Sequence, residues 1–470
     1  MDPRSLLRTL APAVVLIVLT GSACTDGDGP GVHGTPGAAG LRDPYFPKLG
    51  NGGYDVTHYD LVLRYDPKAG TLAGAATITA RATQDLSAFN LDLHGLTVEG
   101  VTVDGTPAAA NRAGNELTIR PRRDLDEGST FRTVVRYAGT PQAITDPDGS
   151  REGWLRTADG AVALGEPAGS MAWFPGNHHP SDKATYDITV TVPEGVAAVS
   201  NGELRSQRPA ADGGTIYAWH SGEPMASYLA TLAVGPFDIR TSRPARAGVP
   251  VITAVDKSLV DASEELRARI PEVQAWAQRT FGPYPFSSTG AVVTRDPFAS
   301  AEGAYALETQ TRPFFPEGDF EETTLVHELA HQWYGNSVSP KTWGDMWLNE
   351  GFATYAEWLY DAEFEGKPVQ QSFDDAFEDE GAWAFPPAEP PVEDLSGAPV
   401  YLRGAMVLHE VRRAVGDETF FALLKEWPQS HRHGNASTED FTAFVEERSG
   451  KDLTELWDAW LYGDGRPEGV

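Results

Sequence analysis

Residues 327–357 read HELAHQWYGNSVSPKTWGDMWLNEGFATYAE. The stretch opens on His327-Glu328-Leu329-Ala330-His331, among the apolar residues Leu325, Val326 and Leu329. Asp319 followed by Glu322 gives a capping start, and Gly335-Asn336 with Pro340 gives a stop, so the spacing predicts a helix over about 320–335. Residues four apart share a helix face, so both imidazoles can point at one ion while Glu328 stands beside them without ligating. A catalytic zinc site built on two histidines needs a third protein ligand and keeps one position open. Glu350 supplies it from a second predicted helix over about 343–365. Eighteen residues separate it from His331, room for a helix end, a turn and an antiparallel start. H-E-x-x-H also arises by chance on ordinary surface or core histidines. The helical setting and the third carboxylate argue for a metal here.

Upstream the pattern changes. Tyr59, Leu61, Leu63 and Tyr65 alternate as a half-buried strand requires, and Thr77-Ile78-Thr79, Leu91-Asp92-Leu93, Leu117-Thr118-Ile119 and Tyr186–Val190 are similar short runs set between turn residues. Residues 51–245 are therefore expected to form an antiparallel β domain, and 246–470 a mainly helical one, an α+β chain. Ser263–Phe281 has helical spacing with Leu266, Ile270, Val273 and Ala277 on one face, and Pro271 bends or breaks it. Ala291–Thr294 reads as a strand. The acidic, Pro-rich segment from Phe373 to Val400 reads as an irregular connection, and helical spacing returns from Gly404.

The 470 residues are 41 % apolar, enough for a substantial core. With 37 Lys+Arg against 67 Asp+Glu, a net charge of −30 argues against a nucleic-acid partner, which needs a basic face. Arg4 and Arg8, the apolar run Leu10–Leu19 and Gly21-Ser22-Ala23 describe an export signal over residues 1–23. The run is too short to span a membrane. Cys24, the single cysteine, excludes an intramolecular disulfide and follows the expected cut. It resembles the lipidated residue of a bacterial lipoprotein, with Gly21 where that pattern prefers Leu. Gly/Pro-rich residues 24–50 then read as a flexible linker. The expected location is outside the cytoplasm, secreted or held at the outer face of the membrane through Cys24 alone.

The 327–357 stretch resembles the zinc site of the aminopeptidase N and leukotriene hydrolase family, members of the gluzincins. Phe281–Phe286 (FGPYPF), Pro224–Leu229 (PMASYL) and Val400–Ala405 (VYLRGA) resemble further family segments. The resemblance implies a saddle-like β domain, a thermolysin-like catalytic domain, one zinc ion per chain, and Tyr401 as the catalytic tyrosine. The chain stops soon after Trp457–Leu461, so a compact two-domain member without the family's C-terminal helical domain is expected. The family's Gly-x-Met-Glu-Asn grip on the substrate amine aligns with Tyr305-Ala306-Leu307-Glu308-Thr309, and a second amine-binding glutamate aligns with Glu166. The departures are the residues around these carboxylates, including Leu164 where Gln is expected.

Together these readings predict a zinc aminopeptidase acting on peptides with a free N-terminus. Its ligands would be His327, His331 and Glu350, its general base Glu328, its oxyanion donor Tyr401 and its amine grip Glu166 and Glu308. A zinc endopeptidase on the same scaffold is the alternative. A surface binding protein with structural zinc fits less well, because such a site needs no general base and usually has four protein ligands. His178, His179, His431 and His433 lie in polar or Pro-bounded loops and are expected to be structural or surface residues.

Overall fold

Tyr59, Leu61, Leu63 and Tyr65 are all buried on one face of the strand Tyr54–Asp66, while Val62 between them is exposed. The alternation follows from the pleat, which turns successive side chains to opposite faces. This strand lies inside an eight-stranded sheet, between Lys183–Val192 and Thr71–Ala82. Its pairing with Thr71–Ala82 is antiparallel, but its pairing with Lys183–Val192 is parallel, so the sheet is mixed rather than wholly antiparallel. A parallel pair needs a long connection, and the chain between these two strands builds other sheet strands on the way. A five-stranded antiparallel sheet includes Ala161–Leu164, whose end delivers Glu166.

The computed structural model describes residues 34–245, 248–298 and 304–467, which form one compact unit. The proposed signal, Cys24 and the first part of the expected linker lie outside the described residues. Residues 34–50 are packed, contrary to the linker expectation. Thr35–Pro36 pairs with the strand Leu86–Asp92, and Leu49 is buried. The buried Asp43 carboxylate accepts from the backbone N–H groups of Tyr45, Phe46 and Trp343 and pairs with His179. Glycine and proline composition concealed this one polar anchor.

A four-stranded sheet, Phe237–Ser242, Val251–Asp256, Thr289–Thr294 and Phe314–Pro316, opens the second half. Its two inner strands are buried along their whole length, as strands covered on both faces must be. Helix α1 (Val260–Phe281) runs uninterrupted through Pro271. An interior proline costs about 3 kcal/mol. Burial of Ile270, Val273, Trp276, Ala277 and Phe281 offsets it.

Helix α2 (Glu322–Ala330) is shorter than the spacing predicted. It starts without a side-chain cap, so Asp319 does not act as expected. Helix α3 spans Trp347–Phe364. The expected irregular segment contains a helix, Val369–Glu378, which buries Phe373 and Ala376 one turn apart. Its remainder up to Pro399 is turns and the short 3₁₀ helices Glu380–Trp383 and Val392–Asp394. Among the described residues no helix is long and apolar enough to cross a membrane.

One close approach sets the geometry near the site. A Cβ on Gly351 of α3 would lie 2.8 Å from the carbonyl carbon of Gly404, so the helix Gly404–Val415 packs backbone to backbone against α3. That contact carries Tyr401, three residues before Gly404, to the face of α3 that bears Glu350. Tyr401 itself sits in a single π-helical turn, Pro399–Arg403. Buried Arg403 ties this turn down by donating to the carbonyls of Ala459, Trp460 and Gly463.

Candidate active site

His327 lies in the last turn of α2, and His331 is the residue at which the helix ends. His331 keeps helical dihedrals, and its N–H donates to the His327 carbonyl at 3.2 Å. The two rings therefore remain on one face, with centroids 4.7 Å apart. His327 Nδ1–H donates to Glu357 Oε1 at 2.5 Å, and His331 Nδ1–H donates to the Tyr334 carbonyl at 3.1 Å. Both Nε2 atoms thereby face Glu350 Oε2, at 3.2 and 3.4 Å. Orienting a ligand histidine through its other nitrogen is the usual device at metal sites.

Zinc fits this donor set. An ion held tetrahedrally at about 2.0–2.1 Å has ligand atoms about 3.3 Å apart, which is the observed spacing of Glu350 from each imidazole. Ligand atoms of all three residues lie within 4.8 Å of one another. Two imidazoles with one carboxylate suit zinc, whereas the neighbouring group Glu166, Glu308 and Glu350 offers only oxygen. Burial pushes the Glu350 carboxyl up, but the adjacent imidazoles of His331 and His327 outweigh it and hold it at about 2. Burial likewise lowers His331, and Glu350 and Glu308 overcome it and raise the group to about 9. The site thus favours a negative carboxylate against positive charge, the electrostatics that a divalent cation satisfies.

A cavity of about 340 Å³ opens over these ligands, large enough for a short peptide end. Glu328, Glu308, Glu166 and Tyr401 all line it. Three of its carboxylate oxygens, Glu328 Oε2, Glu308 Oε1 and Glu166 Oε2, are buried without a hydrogen-bond partner. Such orphans are costly unless a ligand meets them. Burial lifts Glu328 to about 8, drawn down by His327 and His331 and pushed up by Glu308 and Glu350. Glu308 and Glu166 are also raised, first by burial, and Glu166 further by Glu308. The Tyr401 ring stacks on His327 at 6.0 Å, and burial followed by the surrounding carboxylates keeps its phenol protonated.

All seven residues singled out in the sequence therefore face one cleft. Glu357 was missed, although it follows Glu350 by two helical turns and so shares its face. The Gly351–Gly404 contact was also missed. Tyr228 was quoted only within a family segment, yet its hydroxyl donates to the Gly335 carbonyl beyond α2 at 3.1 Å. Of the four histidines expected to be structural or surface residues, His179 pairs with Asp43, for example, and His431 packs at a tilt against Trp427.

Residues 56–229 match the Peptidase M1 N-terminal domain, and residues 319–460 match the Peptidase family M1 domain. A Deinococcus radiodurans M1 zinc metallopeptidase, solved as a point mutant with a Tyr-Ser-Ala substrate, superposes with a TM-score of 0.84 at 31 % identity. The match covers 92 % of this chain and all of that one. A two-domain M1 zinc metallopeptidase mutant with bound L-arginine matches at 32 % identity and a TM-score of 0.83, over 91 % of this chain and 98 % of that one. Aminopeptidase N of Streptomyces lividans is 30 % identical over 88 % of this chain and 51 % of its own length. The chain belongs to peptidase family M1, and it spans about half the length of the first curated relatives it matches.

Proposed function

We propose that this protein is a zinc aminopeptidase that removes single residues from the free N-terminus of peptides. The observation that carries this reading is the meeting of two charge systems in one cleft. Glu166 and Glu308 each bring a carboxylate oxygen to within 4.8 Å of one on Glu350, which faces both imidazoles, and each also has an oxygen buried without a hydrogen-bond partner. An α-amino group is largely protonated at neutral pH, and two buried carboxylates compensate its desolvation. Holding the ammonium beside the metal ligands places the first peptide bond, and no later one, over His327, His331 and Glu350.

Zinc held by His327, His331 and Glu350 would supply Lewis acidity to the scissile carbonyl and lower the pKa of water toward neutral pH. Glu328, drawn down from about 8 by the positive charge a metal at the adjacent ligands would add, would take the proton from the attacking water and return it to the leaving amine. Tyr401 keeps its proton and donates a hydrogen bond to the oxyanion. The β domain, with its working boundary near residue 245, contributes Glu166, and the helical domain contributes the rest.

Aminoacyl fluorogenic substrates and their N-acetylated counterparts test the reading. Acetylation removes the charge, so the blocked forms are cut at least about a hundredfold less efficiently, the loss expected for a desolvated charge pair. Equal cleavage of both would leave an endopeptidase on the same scaffold. We further propose that the protein works outside the cytoplasm, anchored through lipid on Cys24. The support is the Arg4/Arg8, Leu10–Leu19 and Gly21–Ala23 pattern ahead of that cysteine. Fractionation with membranes, lost in Cys24→Ser, is the expected result, and an unmodified soluble terminus would exclude the anchor.

A further inference from the structure

We infer that Gln332 and Asn336 are positioning residues that fix Glu308 relative to the metal ligands, so that the spacing between amine and metal is set by a main-chain bridge. The inference rests on the aminopeptidase reading above. Glu308 stands in the turn of a short hairpin closed by reciprocal bonds between Leu307 and Phe314 at 3.0 and 2.8 Å. A carboxylate on a turn moves with that turn unless its backbone is held elsewhere. Here the Glu308 carbonyl accepts from two side-chain amides, Gln332 Nε2 at 3.2 Å and Asn336 Nδ2 at 2.6 Å. The same Gln332 uses its Oε1 to accept from the Thr311 N–H at 2.8 Å, so one amide spans both ends of the turn.

Thr311 is held at φ 64°, a conformation that disfavours a β-branched residue and persists only where the surroundings impose it. Gly202 N–H pins its hydroxyl at 2.8 Å from the β-rich side. Gln332 and Asn336 lie just beyond His331, and the Asn336 N–H donates to the His331 carbonyl at 3.0 Å. A ligand's main chain is thus joined to the Glu308 main chain through one residue. From the opposite side, Lys183 donates to the carbonyls of Asn336, Ser337 and Gly434 at 2.9, 3.0 and 3.0 Å. Any buried amide must find partners. What distinguishes this pair is that two amides converge on one carbonyl, that of the residue whose carboxylate has a free oxygen in the cleft.

The test uses the full-length, zinc-loaded protein and calorimetric binding of two compounds, L-leucine hydroxamate and its N-acetyl form. Both chelate the metal, and only the first carries an ammonium. Their affinity ratio therefore reads the amine grip at a fixed distance from zinc, without turnover. In the wild type the ratio is large, and in Asn336→Ser it falls at least about tenfold through weaker binding of the free amine. Zinc content and the affinity of the acetylated compound stay within about twofold. If Asn336→Ser does not fold, Gln332→Met is judged on the same ratio. An unchanged ratio, or equal weakening of both compounds, overturns the clamp and leaves the aminopeptidase reading standing. A wild-type ratio near one instead removes the aminopeptidase reading, and the clamp with it.

Discussion

The proposed metal ligands and the carboxylates proposed to hold the substrate amine line one cleft but are assembled in opposite ways. His327 and His331 are one helical turn apart on α2, and Glu350 and its support Glu357 share one face of α3. The spacing within each pair is a property of its helix, and only the packing of α2 on α3 is needed to bring the pairs together. Glu166 follows a strand of the β-rich half, and Glu308 sits on a strained hairpin turn. Their spacing is a property of tertiary packing. Ligand binding is thus the rigid half of the site, and substrate registration the half that depends on distant contacts.

That contrast fails first if the rigid half proves dispensable. Chelation of zinc, or His331→Ala, abolishes turnover and lowers metal content together, because two ligands rarely hold zinc tightly. Glu328→Gln keeps the zinc yet loses about 10²–10⁴ in kcat, since an amide cannot accept the water's proton. Metal analysis beside steady-state kinetics separates these outcomes, and near-normal kcat in Glu328→Gln would remove the general base from the account.

Tyr401→Phe comes next, with a loss of about 10²–10³ in kcat and unchanged zinc, as for other single oxyanion donors. A rise in KM with kcat unchanged would place Tyr401 in substrate binding instead.

The smallest effect sets a histidine outside the cleft against the two inside it. Carboxylates surround His327 and His331, whereas the ring nitrogens of buried His178 meet the Phe174 carbonyl and the Ser227 hydroxyl. Burial lowers it from 6.5 to about 4, with the Phe174 carbonyl opposing. Between those values the unfolded chain binds the proton and the folded one does not, so stability is lost as pH falls through this window. The wild type should therefore lose more Tm between pH 7 and pH 4.5 than His178→Gln, by an amount worth at most about 3 kcal/mol. Parallel Tm curves would contradict the assignment.

How much could be read in advance follows the same division. The H-E-x-x-H spacing and Glu350 were legible because helix periodicity turns sequence distance into a direction. The alternating strand around Tyr59 was legible for the equivalent reason in β structure. Glu308, Glu166 and Tyr401 were reached only through a family resemblance, since hairpin turns and a π-helical turn leave no periodic signal. Residues 34–50 were misread because one buried anchor, Asp43, outweighs a Gly/Pro-rich composition. The helix Val369–Glu378 was misread because acidic residues and later prolines masked a short apolar face.

In the proposed reaction Glu166 and Glu308 register the first peptide bond over His327, His331 and Glu350. Mass spectrometry of the products from an unblocked hexapeptide, followed over time with zinc-loaded protein, tests it most directly. Stepwise loss of single N-terminal residues is expected, with an acetylated copy of the same peptide left intact. Internal fragments, or equal digestion of the acetylated copy, would contradict it.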